Sequence, residues 1–236
     1  MAVYAFAQLP GSDASVLAGF GRKTEARLEA HPFTERLPTQ GLAMFALRGF
    51  LSPAECEALV ALINAGAAPS TALRPADEPE RRNSATCHLS SDEPLVAEVE
   101  GRMARLLDLP PRHGEKVQGQ RYHAGQHFAV HNDYFAGGEP YSEAVASEGG
   151  QRTWTAMVYL KSPEEGGETV FPWAGLQVSP VAGTLLTWNN MDAAGHPNGY
   201  AHHAALPVVR GTKHVLTKWF RERPWQGDAV SAAFRA

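Results

Sequence analysis

Residues 121–135 read Arg-Tyr-His-Ala-Gly-Gln-His-Phe-Ala-Val-His-Asn-Asp-Tyr-Phe, with the triplet His131-Asn132-Asp133 near the end. Side chains alternate between the two faces of a β-strand, so a strand here directs His131 and Asp133 to one face, with Cβ atoms roughly 6–7 Å apart. One imidazole and one carboxylate are two of the three ligands in the facial triad of non-haem Fe(II) sites. The stretch therefore predicts a metal site completed by another histidine from a distant strand.

The third ligand is predicted within Ala201-His202-His203-Ala204. Because adjacent residues of a strand point to opposite faces, only one of the two histidines faces the metal. Alternation alone leaves both His202 and His203 open as candidates.

A buried cation is predicted on the strand that follows. In residues 212–219, alternation places Lys213 on the same face as Val215 and Trp219. These apolar neighbours mark the face as interior, and a buried lysine requires an anion. The anion is either a bound carboxylate or a structural Asp or Glu, whereas Lys218 is predicted to point outward.

Several motifs occur in the same order and spacing as in a known protein family. The motifs are Tyr122-x-x-Gly-Gln-x-Phe-x-x-His131-x-Asp133-Tyr-Phe, Gly149-Gly-Gln-Arg152, Glu165-Gly-Gly-Glu-Thr169-Val-Phe-Pro172, His203, Lys213 and Lys218-Trp219. Together they resemble the prolyl 4-hydroxylase branch of the Fe(II)/2-oxoglutarate dioxygenases. The resemblance runs from about residue 117 to 222 and extends more weakly upstream to about residue 45. It does not cover residues 1–40 or about the last dozen.

The resemblance implies a metal-ligand set. The family places its distal histidine ten residues before its lysine, and 213 − 203 = 10 in this chain. It therefore implies that Fe(II) is held by His131, Asp133 and His203, while His202 faces away or lines the rim of the site.

The resemblance also implies a cosubstrate pocket. Lys213 is expected to bind the distal carboxylate of 2-oxoglutarate, with Tyr122 and Thr169 as hydroxyl donors and Trp219 lining the pocket. Arg152 is expected near the substrate entrance, where it holds the substrate or a lid; the alternative is an ordinary surface arginine. Phe128 stands where the family often has tyrosine, and this departure leaves the substrate contacts open.

The activity implied by the resemblance is oxidation of an unactivated C–H bond to C–OH, with 2-oxoglutarate converted to succinate and CO2. Ascorbate is implied as a further cofactor. The resemblance implies a peptidyl proline as the substrate, and loops at 136–152 and 189–201 are long enough to wall a groove that an extended proline-rich chain would fit. Tyr141 and Tyr200 lie in these loops, although Trp173 is unusual for the family. The alternatives are a hydroxylase of a free amino acid or small metabolite, and a non-catalytic iron- or 2-oxoglutarate-binding sensor.

The chain is predicted to be mainly β with flanking helices (α+β). Candidate strands are residues 43–50, 118–122, 130–134, 153–160, 169–171, 176–178, 184–188, 202–209 and 212–220. The eight short strands after residue 116 favour a double-sheet jelly roll; the resemblance implies a double-stranded β-helix of cupin-like type. We expect an N-terminal helical and strand support region at 1–115, the dioxygenase domain at 116–223 and a tail at 224–236.

Three helices are predicted before the strands. Residues 13–30 favour a helix that Gly19 and Gly21 weaken. Ser52-Pro53-Ala54-Glu55 is a capping box that begins the second helix, and Asp92 is a candidate cap for the third. The second and third helices are expected to support one face of the sheet. The long loops at 136–152 and 189–201 are either lids or disordered insertions.

Composition excludes several classes. A net charge of −4 argues against binding to nucleic acid or to anionic lipid. Only two cysteines, Cys56 and Cys87, are present, which favours buried thiols in a reducing compartment over a disulfide scaffold. Without a signal-like or membrane-spanning stretch, a cytoplasmic location is expected. The sequence leaves the oligomeric state open.

Overall fold

The structure is a computed structural model that describes residues 7–70 and 82–227. Its helices are α1 (Ala14–Glu29), α2 (Pro53–Gly66), α3 (Pro94–Leu107) and α4 (Ser142–Ser147). Its strands are β1 (Thr34–Arg36), β2 (Met44–Leu47), β3 (Ala68–Pro69), β4 (Ala85–His88), β5 (Gln118–His123), β6 (Phe128–His131), β7 (Arg152–Lys161), β8 (Glu165–Gly166), β9 (Thr169–Phe171), β10 (Leu176–Val178), β11 (Leu185–Asn189), β12 (His203–Ala205), β13 (Val208–Arg210) and β14 (Thr212–Arg221).

The strands form two antiparallel sheets with a core between them. Among the described residues, the larger sheet has the order β1-β2-β11-β7-β14-β5-β4-β3, and the smaller has the order β10-β9-β12-β6. Met157 and Tyr159 of the larger sheet pack in one cluster with Phe171 of the smaller sheet. A pair formed by β13 and β8 lies beside them. The architecture is the predicted double-sheet jelly roll with flanking helices.

The helices cover the outer face of the larger sheet. Ser52 and Glu55 form the predicted capping box of α2. The buried stripe of α3, which includes Val96, Val99 and Met103, joins α2 and β7 in a second core cluster. Burying a Val or Leu side chain contributes about 1.5–3 kcal/mol, so these stripes fix both helices on the sheet. Asp92 does not cap α3, because Glu93 occupies the N-cap position and makes no side-chain cap bond.

Helix α1 forms over nearly the whole of the predicted range. Asp13 caps it by accepting a hydrogen bond from the Ser15 amide at 2.7 Å. Thr24 donates to the Leu107 carbonyl at 2.9 Å and thereby links α1 to the end of α3. A Cβ atom at Gly21 would lie 2.6 Å from Nδ2 of Asn189, so glycine there permits the close approach of α1 to β11.

The strand carrying the first histidine is shorter than predicted. β6 ends at His131, so Asp133 lies in a bend beyond the strand. Asn132 donates from Nδ2 to the Tyr134 carbonyl at 2.6 Å, a local side-chain bond that competes with continued strand pairing. The same-face geometry expected from strand alternation is therefore replaced by a turn that still brings Asp133 to the site.

The predicted strand at 202–209 is divided in two. β12 pairs with β6 and β9, whereas β13 pairs with β8. Pro207 lies at the division, and a proline has no amide hydrogen for a ladder bond. The strands β1, β3, β4 and β8 were not predicted; each has at most four residues, too few for a clear alternating pattern.

The two long loops are packed against the body of the protein and are not disordered insertions. The first contains α4, whose Val145 is buried, and the second contains a short 3₁₀ helix, Gly199–Ala201. An N-terminal segment joins both loops: Ala7 accepts a hydrogen bond from the Gly137 amide at 2.9 Å, and Gln8 donates to the Gly195 carbonyl at 3.0 Å.

Strands from both sides of residue 115 share the larger sheet, since β2 pairs with β11 and β4 with β5. Of the expected tail, the structure describes residues 224–227, where the Trp225 amide donates to the Arg112 carbonyl at 2.9 Å. No helix in the described ranges has both the length and the apolar character needed to cross a bilayer.

Candidate active site

Three of the predicted site residues converge between the two sheets. His131 and His203 pair directly across β6 and β12, with ring centroids 4.2 Å apart. Oδ2 of Asp133 lies 3.8 Å from Nε2 of His203. One ligand atom from each of the three residues lies within 4.8 Å of the other two. Two imidazoles and one carboxylate are the donor set of a non-haem Fe(II) triad, so these residues fit that metal.

Backbone carbonyls orient both imidazoles. Nδ1 of His131 lies 2.9 Å from the Ala129 carbonyl, and Nδ1 of His203 lies 2.9 Å from the Ala201 carbonyl. A carbonyl only accepts, so each Nδ1 carries the proton and each Nε2 keeps its lone pair for the metal.

The protonation states also suit a divalent cation. Burial, together with the neighbouring His203, lowers the pKa of His131 to about 3. Burial alone would raise the pKa of Asp133, but the adjacent imidazoles and Arg152 hold this pKa below its usual range. A metal binds neutral imidazole and ionised carboxylate, which are the forms of His131 and Asp133 at neutral pH.

Polar side chains hold Asp133 from two directions. Thr155 donates from Oγ1 to Oδ2 of Asp133 at 2.8 Å, and Asn190 donates from Nδ2 to Oγ1 of Thr155 at 2.9 Å. Arg152 reaches the Asp133 carbonyl at 3.4 Å. A bidentate ion pair with Glu115, at 2.6 Å for each contact, holds the Arg152 guanidinium.

Aromatic rings enclose the same arginine. The Arg152 guanidinium lies 4.1 Å from the Trp219 ring centroid and 4.8 Å from that of Phe135. Arg152 is therefore a partly buried residue beside a metal ligand and not an ordinary surface arginine. Its contact with a substrate stays a prediction, as does the implied place of Trp219 in the lining of the cosubstrate pocket.

Lys213 lies deep between the sheets and is 1% exposed. Its Nζ donates to the Gly167 carbonyl at 2.7 Å and lies 3.5 Å from Oγ1 of Thr169. The rings of Tyr122 and Tyr159 flank it at 5.4 and 5.5 Å. This pocket brings together the three residues that the resemblance implied for 2-oxoglutarate.

The charge of Lys213 is left without a counter-ion in the described part of the chain. Burial lowers the pKa of Lys213 to about 7, and Glu168 opposes this shift without forming an ion pair with the ammonium. A bound carboxylate would offset the cost of a buried cation. The described residues thus favour the ligand over a structural Asp or Glu as the partner of this lysine.

His202 stands outside the ligand set. Its ring meets the rings of Trp173 and Tyr134 edge-on, with centroid distances of 4.4 and 5.7 Å. Of the other histidines, His113 and His214 are also buried. They bond to the Arg221 carbonyl and to Asn64, respectively.

Several residues of the site were missed by the sequence reasoning. Thr155 and Tyr159 lie on the inward face of β7, and Tyr159 donates to Oγ1 of Thr169 at 2.8 Å. Polar residues alternating with apolar ones on a buried strand were the available signal for these two. Asn190 and Glu115 lie outside strands, where no periodic pattern indicates which side chains turn toward a site.

Comparisons with known proteins agree with this geometry. A sequence profile of the 2OG-Fe(II) oxygenase superfamily matches residues 117–221. "Probable prolyl 4-hydroxylase 3" of Arabidopsis thaliana is 34% identical over 201 residues, which are 74% of this chain and 68% of that protein. Prolyl 4-hydroxylase 1 of the same plant is 30% identical over 200 residues, covering 76% and 69% of the two chains. The chain thus spans about two thirds of the length of these relatives.

A solved structure supports the same family. The viral collagen prolyl hydroxylase of Paramecium Bursaria Chlorella virus-1, crystallised as a 2-oxoglutarate complex, has a TM-score of 0.59 and 27% sequence identity. The alignment covers 82% of this chain and 98% of the viral one. The chain belongs to the 2OG-Fe(II) oxygenase superfamily and is a 2-oxoglutarate-dependent dioxygenase. Within that superfamily it is a prolyl 4-hydroxylase-like enzyme, and membership implies Fe(II) and 2-oxoglutarate as its cofactor and cosubstrate.

Proposed function

We propose that this enzyme hydroxylates a proline residue within a peptide or protein. In the overall reaction, 2-oxoglutarate and O2 react with the substrate C–H; one oxygen atom enters succinate as CO2 leaves, and the other enters the new C–OH group. Bound Fe(II) supplies the activation of O2. Ascorbate, implied by the family resemblance, is proposed as the accessory reductant.

The lysine pocket, the metal ligands and Trp219 lie at successive positions along the barrel. Lys213 and Thr169 mark the inner end, because β9 pairs with β12 at Ala205, two residues past His203. On β14, Trp219 pairs with Thr155, which contacts the metal ligand Asp133. The metal ligands therefore lie between the lysine pocket and the end of the barrel that holds Trp219.

The observation that carries the proposal is an aromatic rim at that end, where the exposed Trp173 packs against His202 and His202 contacts the buried ring of Tyr134. Tyr134 follows one metal ligand, His202 precedes another, and Trp173 is 47% exposed. Proline-rich chains bind to aromatic surfaces because their extended helix is preformed and loses little entropy on docking. An exposed indole next to the metal site is suited to a polypeptide that extends beyond the reacting residue.

The chain's own residues have separate proposed roles. Lys213, with Tyr122 and Thr169, holds the distal carboxylate of 2-oxoglutarate. His131, Asp133 and His203 hold Fe(II). Arg152, which contacts the Asp133 carbonyl and lies over the Trp219 ring, is proposed to contact the substrate proline beside the metal.

The proposal is tested by mass spectrometry of proline-containing peptides after incubation with enzyme, Fe(II), 2-oxoglutarate and ascorbate. The expected result is one added oxygen on proline, coupled to equal amounts of succinate. Coupled turnover of a free amino acid, with no peptide oxidised, would assign the enzyme to metabolite hydroxylation.

Trp173→Ala tests the rim itself. We expect a higher KM for long proline peptides, with little change in KM for 2-oxoglutarate. Val181→Ala is the control, because Val181 has a similar exposure of 46% and lies in the turn before β11. Equal KM values for the two variants would show that the rim does not bind the peptide.

A further inference from the structure

We propose that Asn190 is a positioning residue for the metal centre: through Thr155, it fixes the orientation of the Asp133 carboxylate. The proposal rests on the Fe(II) site of the dioxygenase and not on the identity of the substrate.

The hydrogen-bond chain has a single consistent direction. An ionised carboxylate only accepts hydrogen bonds, so the one hydroxyl proton of Thr155 goes to Asp133. The oxygen of Thr155 must then accept, and Asn190 supplies the donor from its amide nitrogen. Thr155 and Asn190 are both 0% exposed, so water does not compete for either bond.

The orientation of the Asn190 amide follows from this chain. If the amide were reversed, its oxygen and the carboxylate would compete for the single Thr155 proton. In the observed orientation, Oδ1 of Asn190 is buried and has no hydrogen-bond partner among the described residues. An unmade buried hydrogen bond costs about 1–3 kcal/mol, so the fold accepts a cost to point the amide nitrogen at Thr155.

The backbone of Asn190 is held independently of its side chain. Its amide donates to the Thr153 carbonyl at 2.7 Å, and its carbonyl accepts from the Asn198 amide at 2.9 Å. A substitution of the side chain therefore leaves both anchors of the 189–201 loop in place. This separation allows positioning to be measured apart from loop folding.

The hydrogen bonds from Asn190 and Thr155 restrict rotation of the Asp133 carboxylate. If the Asp133 carboxylate turned about its Cβ–Cγ bond, it would lose the hydrogen bond from Thr155. The hydrogen bonds from Asn190 to Thr155 and from Thr155 to Asp133 therefore hold the plane of the carboxylate relative to the two imidazoles. Partners that orient a metal ligand typically contribute 10–100-fold to metal affinity. The loop carrying Asn190 thus belongs to the metal site although it contributes no ligand.

The test compares Asn190→Leu with Asn189→Leu. Both asparagines are buried, but the Asn189 side chain accepts from the Met191 amide and does not contact Thr155. Leucine approximates the shape of asparagine without its hydrogen bonds. Anaerobic Fe(II) titration and the visible absorption of the Fe(II)–2-oxoglutarate complex are measured on variants whose fold is confirmed by circular dichroism.

We expect Fe(II) affinity to fall about tenfold in Asn190→Leu and about 10–100-fold in Thr155→Val, with a shifted absorption band in each. Thr155→Ser, which keeps the hydroxyl that Thr155→Val removes, should retain wild-type affinity for Fe(II). Asn189→Leu should lower thermal stability but leave Fe(II) affinity within about twofold. Wild-type affinity and absorption in Asn190→Leu, or an equal loss in Asn189→Leu, would overturn the proposal.

Discussion

Lys213 and Lys218 both lie on β14, and both are buried. Lys213 faces the space between the sheets, whereas Lys218 faces α3 and pairs with Glu100 at 2.6 Å. Strand alternation places the two side chains on opposite faces, as the structure shows. The predicted outward position of Lys218 is wrong, however, because α3 covers that face of the sheet.

The two lysines give a matched pair of substitutions. Lys213→Ala should weaken 2-oxoglutarate binding by about 10- to 150-fold, since a hydrogen bond to a charged group contributes about 1.5–3 kcal/mol. Lys218→Ala should leave that affinity unchanged but lower the free energy of unfolding by about 3 kcal/mol, because Glu100 loses its partner in a buried pair. Titration and urea denaturation measure the two effects; equal losses of affinity would contradict the assignment of faces.

The pKa of Lys213 predicts a pH dependence. Below about pH 7 the ammonium is already charged, whereas above it the binding of a carboxylate requires uptake of a proton. Affinity for 2-oxoglutarate should therefore fall about tenfold per pH unit above about pH 7. Calorimetry in buffers with different ionisation enthalpies measures the proton uptake. Lys213→Arg should abolish the dependence, and a pH-independent affinity in the wild type would exclude Lys213 as the titrating group.

His131, Asp133 and His203 should each be required for Fe(II) binding. Replacement of His131, Asp133 or His203 by alanine should abolish Fe(II) binding and turnover while the fold is kept. His202→Ala should retain substantial Fe(II) binding, because its ring points to Trp173 and not to the other ligands. Metal content and succinate formation are the measurements. Retained Fe(II) in His203→Ala together with loss in His202→Ala would reverse the assignment.

At the scale of elements, α1 joins parts of the chain that are distant in sequence. It contacts the end of α3 through Thr24, and its Leu17 packs with Tyr134 and Met191 beside the metal site. The N-terminal segment before it holds the loops at 136–152 and 189–201 together. The described residues before position 40, which the family resemblance does not cover, therefore hold the loops next to the metal ligands in place.

Two glycines of α1 should respond in opposite directions to alanine. A Cβ at Gly19 meets no atom within 4 Å, so Gly19→Ala should stabilise the protein by about 0.5–1 kcal/mol through lower chain entropy when unfolded. Gly21→Ala should destabilise by about 1–3 kcal/mol, because its Cβ would clash with Asn189. Chemical denaturation measures both, and a stabilising Gly21→Ala would show that α1 does not pack closely on β11.

At the scale of the whole molecule, the site couples two sheets that meet across the core. Two of the ligands come from neighbouring strands of the smaller sheet, and Asp133 is fixed by Thr155 from the larger sheet. A metal bound there connects both layers of the barrel. Ligand binding should accordingly stabilise the fold as a unit.

Thermal unfolding tests this coupling. At a concentration of Fe(II) or another divalent metal of about 100 times Kd, binding adds about 2.7 kcal/mol. For a chain of this size, that corresponds to a rise in Tm of about 5–11 °C. Asp133→Ala should remove the rise, and a chelator should remove it from the wild type. An equal rise in Asp133→Ala would place the stabilising metal elsewhere.

Patterns in the sequence predicted the double-sheet jelly roll, the three helices and a metal site at His131 and Asp133, whereas the choice of His203 over His202 came from the family resemblance. Strand alternation and a capping box depend only on neighbours along the chain, whereas the ten-residue step from His203 to Lys213 is informative only because the family it resembles has the same spacing. Burial of Lys213 was predictable from strand alternation. The position of Asp133 was right in outcome, although the strand expected to place it ends at His131.

Packing between elements that are distant in sequence fixes which side chains hold these ligands in place. Glu115, Thr155 and Asn190 come from separate parts of the chain and meet at Asp133 and Arg152 because the sheets and loops fold over one another. The covering of Lys218 by α3 has the same origin. Periodicity reports which face of an element is apolar, but not which distant element packs on it, and that packing fixes the hydrogen bonds around the metal.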